Sequence, residues 1–382
     1  MAAYVPKGTW EINTTGVGVV NVEPAPGSVV TTIPTPNSVN SCAANPVTGK
    51  TVCTANNTDV YLISGTSLNA TLTSGDGPGQ INLSGGTCIN CGVAMDAVHN
   101  KAIIGLSIGG TPGNTDGTPG FQVLDLSTST FGPVFASQAG AISEGLLFDT
   151  TRNFLLSANE ADFIPGETNS FEIVDLTNSA APKFYENQPI AVAGELDSSA
   201  EECSTGIALA PVEASVEFPS ASQVFIADLT QAVFTAGSPG TWTAPSQVQT
   251  LTESNLQFGA SGSAVAQGTH TGILTGEFGG DAITAIKLPA TSGSGTPAIS
   301  DWVTCSIGGG FFNGGDPHTV TAYQSPNSGD GIAVLANGVA SGVAVVDLTK
   351  MLDPTVVPRT VGGHGCAAGT LPATVVSFIG VP

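Results

Sequence analysis

A short strand signature recurs seven times along the chain, and this repeat limits the available folds more than any other feature. Each copy is an apolar strand that ends in a short polar step, seen most clearly in FQVLDLS (121–127), FEIVDLT (171–177), VFIADLT (224–230) and VAVVDLT (343–349). Weaker copies lie at 17–23, 60–66 and 283–289. Regular recurrence of one supersecondary unit predicts an architecture in which each unit buries its apolar face against the next unit.

A second pattern, two apolar strands joined by a tight polar turn, precedes six of these signatures, at 42–56, 91–107, 144–159, 204–214, 261–277 and 318–337. A seventh copy, at 365–380, has no signature after it, and the signature at 17–23 has no hairpin before it. Together, these two incomplete units would make one more unit. We therefore predict an all-β, seven-bladed β-propeller that occupies residues 1–382 as a single domain. Its last blade would take two inner strands from 365–380 and two outer strands from 17–22 and 28–33.

Composition and charge exclude several classes of protein. With 41% hydrophobic and 10% charged residues, the chain can bury a large core and is not of the disordered type. A formal net charge of −22 leaves no basic surface for nucleic acid or for an anionic membrane. The most apolar stretch, 331–348, is interrupted by Asn337, Gly338 and Ser341, which predicts two strands and a turn rather than a membrane span.

Three motifs, GVAMDAVHNKAIIG, EGLLFDTTRNFLLSAN and PHTVTAY, are each followed by a V-x-D-L type strand and resemble the repeat of the YVTN/YncE-like, lactonase-like propellers. The resemblance covers nearly the whole chain and implies blade architecture. The aspartate of the family's inner turn is present here as Asp96 and Asp149. Because the family includes lactonases, binding proteins and proteins without known activity, the resemblance implies no single function.

The seven cysteines point to an oxidising compartment. Cys42 and Cys53 flank a turn symmetrically, which would place them opposite each other in a hairpin and close enough for a disulfide. Cys88 and Cys91 are expected to form a second, local disulfide, whereas the pairing of Cys203, Cys305 and Cys366 stays open. We expect an extracellular or periplasmic protein whose signal peptide has been removed.

The predicted blades place long connections on one face of the ring, at 74–91, 108–120, 158–170, 188–205 and 306–318. Tight turns such as 46–49, 97–100 and 150–153 fall on the opposite face. Because long loops on a rigid scaffold usually carry binding sites, we expect the site on the long-loop face, over the central channel.

The residues expected at the mouth of that channel are those that open each inner strand: Cys42, Cys91, Glu144, Ser204, Ser261, His318 and Cys366, with His364 just before the last. From this ring we predict a ligand-binding site of Glu144, Asp316, His318 and His364. A transition metal could be held by His318, His364, Glu144 and Cys91, since histidine with carboxylate suits zinc, iron or copper. The alternative is that Glu144 and His318 hydrogen-bond neighbouring blades.

The function predicted from these features is the binding of a small molecule or a protein partner on the long-loop face. The alternative is a propeller lactonase or hydrolase, or a metal-dependent oxidoreductase, with its site at the channel mouth. Acidic residues at 159–167 and at Glu195, Asp197, Glu201 and Glu202 could ligate calcium. We expect these acidic residues instead to be solvated surface charges.

Overall fold

Antiparallel sheets follow one another around a central channel in this computed structural model. The structure describes residues 2–6, 15–23, 28–55, 58–73, 92–108, 118–137, 145–159, 169–187, 190–192, 194–213, 222–252, 260–276, 282–293, 295–308, 320–337 and 342–380. Among these residues, no helix is long and apolar enough to cross a membrane.

The first half of the chain forms four sheets. The N-terminal sheet contains β1 (Ala2–Pro6), β2 (Val17–Asn21) and β3 (Ser28–Ile33). The first blade contains β4 (Val39–Ala44), β5 (Lys50–Ala55), β6 (Asp59–Ser64) and β7 (Ser67–Thr73). The second blade contains β8 (Val93–Asp96), β9 (Lys101–Ile108), β10 (Thr118–Asp125) and β11 (Thr130–Ala136). The third blade contains β12 (Leu147–Asp149), β13 (Phe154–Asn159), β14 (Ser170–Asp175) and β15 (Lys183–Asn187).

The second half forms three blades with two insertions. The fourth blade contains β16 (Glu195–Leu196), β17 (Ala200–Glu202), β18 (Ile207–Glu213), β19 (Gln223–Asp228) and β22 (Ser246–Thr250). Between β19 and β22 the chain forms a 3-10 helix (Leu229–Gln231) and a hairpin of β20 (Val233–Thr235) and β21 (Gly240–Thr243). The fifth blade contains β23 (Ala260–Ala266), β24 (Thr271–Gly276), β25 (Ala282–Lys287) and β26 (Asp301–Ser306). The sixth blade contains β27 (Val320–Gln324), β28 (Gly331–Asn337), β29 (Gly342–Asp347) and β31 (Val376–Gly380). Helix α1 (Leu348–Leu352) and strand β30 (Gly365–Thr370) lie between β29 and β31 in the chain.

The strand order gives the ring two distinct faces. Turns between the first and second strands of the six blades, at 45–49, 97–100, 150–153, 203–206, 267–270 and 325–330, lie at one end, here called the short-turn face. Since neighbouring strands are antiparallel, the segments that join second to third strands, and one blade to the next, leave from the opposite end, the long-loop face. The first strands of neighbouring blades adjoin around the channel.

Apolar side chains between neighbouring sheets form the core. Between the second and third blades, for example, Phe121 packs with Leu155 and Phe184, and all three side chains are buried. Full burial of such a side chain stabilises the fold by roughly 1.5–3 kcal/mol. The N-terminal sheet packs between the first and sixth blades in the same way, with Val19 in the cluster of the first blade and Val20 in that of the sixth.

The predicted closure of the ring is wrong, and the described residues form six four-stranded blades rather than seven. The chain termini do not share a blade: β30 pairs in parallel with β26 of the fifth blade, and β31 is the outer strand of the sixth. The N-terminal sheet has three strands of its own. The repeat signatures mark third strands correctly in all six blades. The two C-terminal strands do not form a new hairpin: β30 lies in the long connection between β29 and β31, and β31 is the fourth strand of the sixth blade.

Both insertions cover the outer edge of the preceding blade. Strand β21 pairs in parallel with β15, and Trp242 on β21 donates from Nε1 to the Phe171 carbonyl at 2.7 Å. Strand β30 extends the fifth blade, where a disulfide joins Cys305 to Cys366. Covering a blade's outer strand in this way removes backbone groups that could pair with another chain.

The predicted Cys42–Cys53 disulfide is confirmed. The two residues are directly opposed on β4 and β5, with a Cα–Cα distance of 4.1 Å. Cys88 and Cys91 lie outside the described residues, so their disulfide stays a prediction. Among the described cysteines, Cys203 is a free thiol.

Candidate functional site

Most of the residues predicted to bind a ligand or a metal lie outside the described residues. Glu144, Asp316, His318 and Cys91 are all in this group, and their roles stay predictions. His364 is described, but not at the channel mouth. It lies immediately before β30, at the outer edge of the fifth blade.

His364 is held by the edge of the fifth blade. Its ring stacks on Trp302 with centroids 3.7 Å apart, and its Nδ1 lies 2.8 Å from the Trp302 carbonyl. Beside it, Arg359 forms a two-pronged ion pair with Asp301, and this guanidinium lowers the pKa of the Asp301 carboxyl. His364 therefore lies at the outer edge of the fifth blade and does not open an inner strand, because the segment that follows it pairs with β26. Its predicted role in a site with Glu144, Asp316 and His318 stays a prediction.

The inner strand of the fourth blade also differs from the prediction. Ser204 lies in the turn after this strand, and the strand itself is built from 195–202. As a result Asp197, Glu201 and Glu202 are fully buried rather than solvated.

On the short-turn face, buried acids of two blades surround one arginine. Arg152 Nη1 donates to Asp149 at 2.8 Å, to Glu201 at 3.2 Å and to the Cys203 carbonyl at 3.3 Å. The carboxylates and the Cys203 thiol have donor atoms within 4.8 Å of one another, a spacing compatible with a metal ion. We call this group the Arg152 cluster.

The guanidinium already supplies positive charge to this cluster. Burial, and then the charge of Asp149, raises the pKa of Glu201 to about 8, so this carboxyl holds a proton at neutral pH. Burial also raises the pKa of the Cys203 thiol, which disfavours the thiolate that metals and nucleophilic chemistry require. The arrangement is that of a neutralised ion-pair network which ties the third blade to the fourth.

Among the described residues, lysines and arginines lie only at the short-turn face. Seven of the eight lysines and arginines are described, and all stand in turns, connections or strand ends at that face: Lys50, Lys101, Arg152, Lys183, Lys287, Lys350 and Arg359. Lys7 lies outside the described residues. The described part of the long-loop face therefore has acidic side chains without any lysine or arginine.

Two pairs of glutamates oppose each other at the long-loop ends of the third and fourth blades. Glu172 on β14 pairs with Glu186 on β15, and Glu195 on β16 pairs with Glu213 on β18. Like charges directly opposite each other destabilise a sheet. We call these four residues, with Asp197, the acidic rim.

The first pair is deeply buried. Glu172 is fully buried and Glu186 is 8% exposed, and Ser137 Oγ of the second blade lies 3.2 Å from Glu172 Oε1. Burial, and then the charge of Glu186, raises the pKa of Glu172 to about 8. A carboxyl whose pKa is raised in this way is a recognised indicator of a functional site, although structural networks produce it too.

Hydrogen bonds from one asparagine side chain fix the backbone beside the second pair, Glu195 and Glu213. The Asn169 side chain donates to the Gly194 carbonyl at 2.8 Å and accepts from the Leu196 backbone N–H at 3.0 Å, so it joins the third blade to the start of the fourth. Sequence reasoning named Glu195 and Asp197 as possible calcium ligands but missed Glu172, Glu186 and Glu213, because each is a single glutamate within a largely apolar strand. The available signal was a glutamate at a strand position whose neighbours are apolar.

Comparison with known proteins supports the fold and does not assign a family. No protein-family model matches the chain, and no curated protein matches it. A hypothetical selenium-binding protein from Sulfolobus tokodaii is similar in structure, with a TM-score of 0.60 and 11% identity over 99% of this chain and 91% of that one. The hydrazine synthase of Kuenenia stuttgartiensis has a TM-score of 0.55 and 11% identity, over 87% of this chain and 89% of that one.

A third similar structure is the WD40-repeat domain of RRP9, with a TM-score of 0.53 and 8% identity over 82% of this chain and 77% of that one. At these identities the similarity shows the fold alone. It confirms that the chain is a β-propeller, whereas the particular YVTN/YncE family finds no support from a family model.

Proposed function

We propose that this protein is an extracytoplasmic β-propeller that binds a positively charged small molecule or protein segment on its long-loop face, over the central channel. The observation that carries the proposal is that the acidic rim lies at the long-loop face, where no described lysine or arginine lies. The described lysines and arginines all lie at the short-turn face, among other acids such as Asp149 and Asp301.

Electrostatics gives the physical reason for a cationic ligand. With 30 acidic and 8 basic residues, the whole chain is strongly negative, and charges of one sign gathered at one face attract a ligand of opposite sign. Glu195 and Glu213 are directly opposed, and a bound cation would offset part of the repulsion between them. Glu172 adds little to that repulsion at neutral pH, because its raised pKa of about 8 leaves it protonated.

Other observations agree with parts of the proposal. The Cys42–Cys53 and Cys305–Cys366 disulfides fit an oxidising compartment. One similar structure is described as a hypothetical selenium-binding protein, so this architecture also occurs in a protein described as binding a small ligand. For the hydrolase or oxidoreductase alternative, the candidate residues Glu144 and His318 lie outside the described residues, and no described group favours it.

Calorimetric titration with spermine and with a lysine-rich peptide tests the proposal. A double variant, Glu195→Gln with Glu213→Gln, should weaken binding roughly tenfold, since half-exposed charges each contribute on the order of 0.5–1 kcal/mol. The wild-type affinity should also fall as salt is added, because salt screens surface charge.

The matched control removes two charges from the other face. Asp330→Asn with Asp353→Asn changes the net charge equally and should leave the affinity nearly unchanged. Hydrogen–deuterium exchange should show protection by spermine at the long-loop ends of β14 and β18. Equal losses in both double variants, or protection confined to the short-turn face, would contradict the proposed site.

A further inference from the structure

The outer strand of the first blade carries an acceptor sequence for asparagine-linked glycosylation. Residues Asn69-Ala70-Thr71 form an Asn-x-Thr triplet within β7. Further triplets of this type begin at Asn13, Asn56 and Asn82, which lie outside the described residues. Such a triplet is an acceptor only where the chain enters a secretory compartment and the asparagine is accessible.

Asn69 is accessible in the folded protein. Asn69 and Thr71 are both exposed, on the outward side of a strand whose exposure alternates. Leu62 pairs with Ala70 and Ile63 pairs with Leu68, so Asn69 is the extra residue of a β-bulge. A bulged residue has no cross-strand partner, and a large substituent on its side chain would displace no neighbour.

The edge on which Asn69 stands lacks the protection found on the second, third and fifth blades. Strands β15 and β26 are covered by β21 and β30, and β11 contains Pro133, which has no N–H to offer. By contrast, β7 contains no proline and no charged residue, and no described strand pairs with its outer side. Long uncharged edge strands of this kind tend to pair with other chains.

We propose that Asn69 carries an N-linked oligosaccharide that shields the outer edge of the first blade. This inference rests on the extracytoplasmic location in the proposed function, but not on ligand binding. An oligosaccharyltransferase would join the Asn69 side-chain nitrogen to the anomeric carbon of a polyprenyl-diphosphate-linked oligosaccharide. The new C–N bond forms as the bond from that carbon to the diphosphate oxygen breaks; polyprenyl diphosphate leaves, and the amide loses one proton.

The site is tested on the full chain, exported from a eukaryotic cell behind an added export signal. Enzymatic glycan release in heavy-oxygen water converts each glycosylated asparagine to a labelled aspartate, which peptide mass analysis locates. Label is expected at Asn69 in the wild type and in Thr71→Ser, because serine keeps the hydroxyl group that the acceptor triplet requires. It should be lost in Asn69→Gln and Thr71→Ala, and kept in the control Thr73→Ala, which changes the same exposed side of β7 outside the triplet.

An exported chain with an intact Cys42–Cys53 disulfide but unlabelled Asn69 would overturn the site while leaving the proposed location standing. Spermine binding is measured separately on the same material, so failure of the ligand proposal is distinguishable from failure of this one.

Self-association tests the shielding role. Light scattering should find the glycosylated protein monomeric and Asn69→Gln associated at the same concentration, with at least a severalfold larger oligomer fraction. Asn69→Lys should restore the monomer without a glycan, because a charge on an edge strand also opposes pairing. If Asn69→Gln stays as monomeric as the glycosylated protein, the glycan does not shield this edge.

Discussion

The stability of this protein should fall as pH rises because Glu172 is buried, and replacing Glu172 by glutamine should remove that contribution. The carboxyl is fully buried between the second and third blades and opposes Glu186. In the fold its pKa is raised from 4.5 to about 8, by burial first and by the Glu186 charge second. Glu172→Gln keeps the size of the side chain and an oxygen for Ser137, but cannot ionise.

The sign and size of the effect follow from proton binding. Above pH 4.5 the unfolded chain releases this proton, while the folded chain keeps it until about pH 8, so the unfolded state binds fewer protons and stability falls as pH rises. Each pKa unit corresponds to about 1.4 kcal/mol. The wild type should therefore lose about 5 kcal/mol of unfolding free energy through this group between pH 4.5 and pH 8, and little more beyond.

Denaturant unfolding of the wild type and Glu172→Gln, followed at pH 5, 7 and 9, measures this effect. The two proteins should be similar at pH 5, and the variant should be the more stable by several kcal/mol at pH 9. Glu201 contributes a similar slope in both proteins and cancels in the difference. Glu213→Gln, at the end of β18, is the matched control.

A constant difference between the wild type and Glu172→Gln across this range would refute the reasoning, because it would show that Glu172 has the same pKa in the folded and unfolded states. The same conclusion would follow if Glu213→Gln reproduced the whole effect, since the slope would then reflect net charge rather than burial of Glu172.

Two further changes probe the joints between blades. Arg152→Met should lower the unfolding free energy by about 3–5 kcal/mol, because it leaves the buried Asp149 carboxylate without its cation and Glu201 without a hydrogen-bond donor, and thermal unfolding measures the loss; an unchanged melting temperature would contradict the network. Cys305→Ser with Cys366→Ser should cost about 4 kcal/mol, as expected for a crosslink with a sequence separation of 61, and partial proteolysis should then cut first near β30; resistance equal to that of the wild type would contradict this role.

The sequence alone determined the class of fold and the position of the repeating strands. The repeat, in which V-x-D-L strands alternate with short polar turns once per blade, depends only on the alternation of apolar and polar residues and on turn-forming residues. Both can be recognised in a short stretch of sequence. The Cys42–Cys53 disulfide belongs to the same category, because its partners flank a single hairpin turn. Local geometry decides such features before any distant contact forms.

Tertiary structure alone decided the closure of the ring, the place of His364 and the burial of the charges. Whether 365–380 forms a hairpin or two strands on different sheets depends on partners far away in sequence, β26 and β29, and not on its own pattern. Glu201 and Glu172 are likewise polar residues in the sequence, and whether they are buried depends on the blade that packs against them. Their pKa values follow from that packing, because the cost of burying a charge depends on the surroundings that the whole fold supplies.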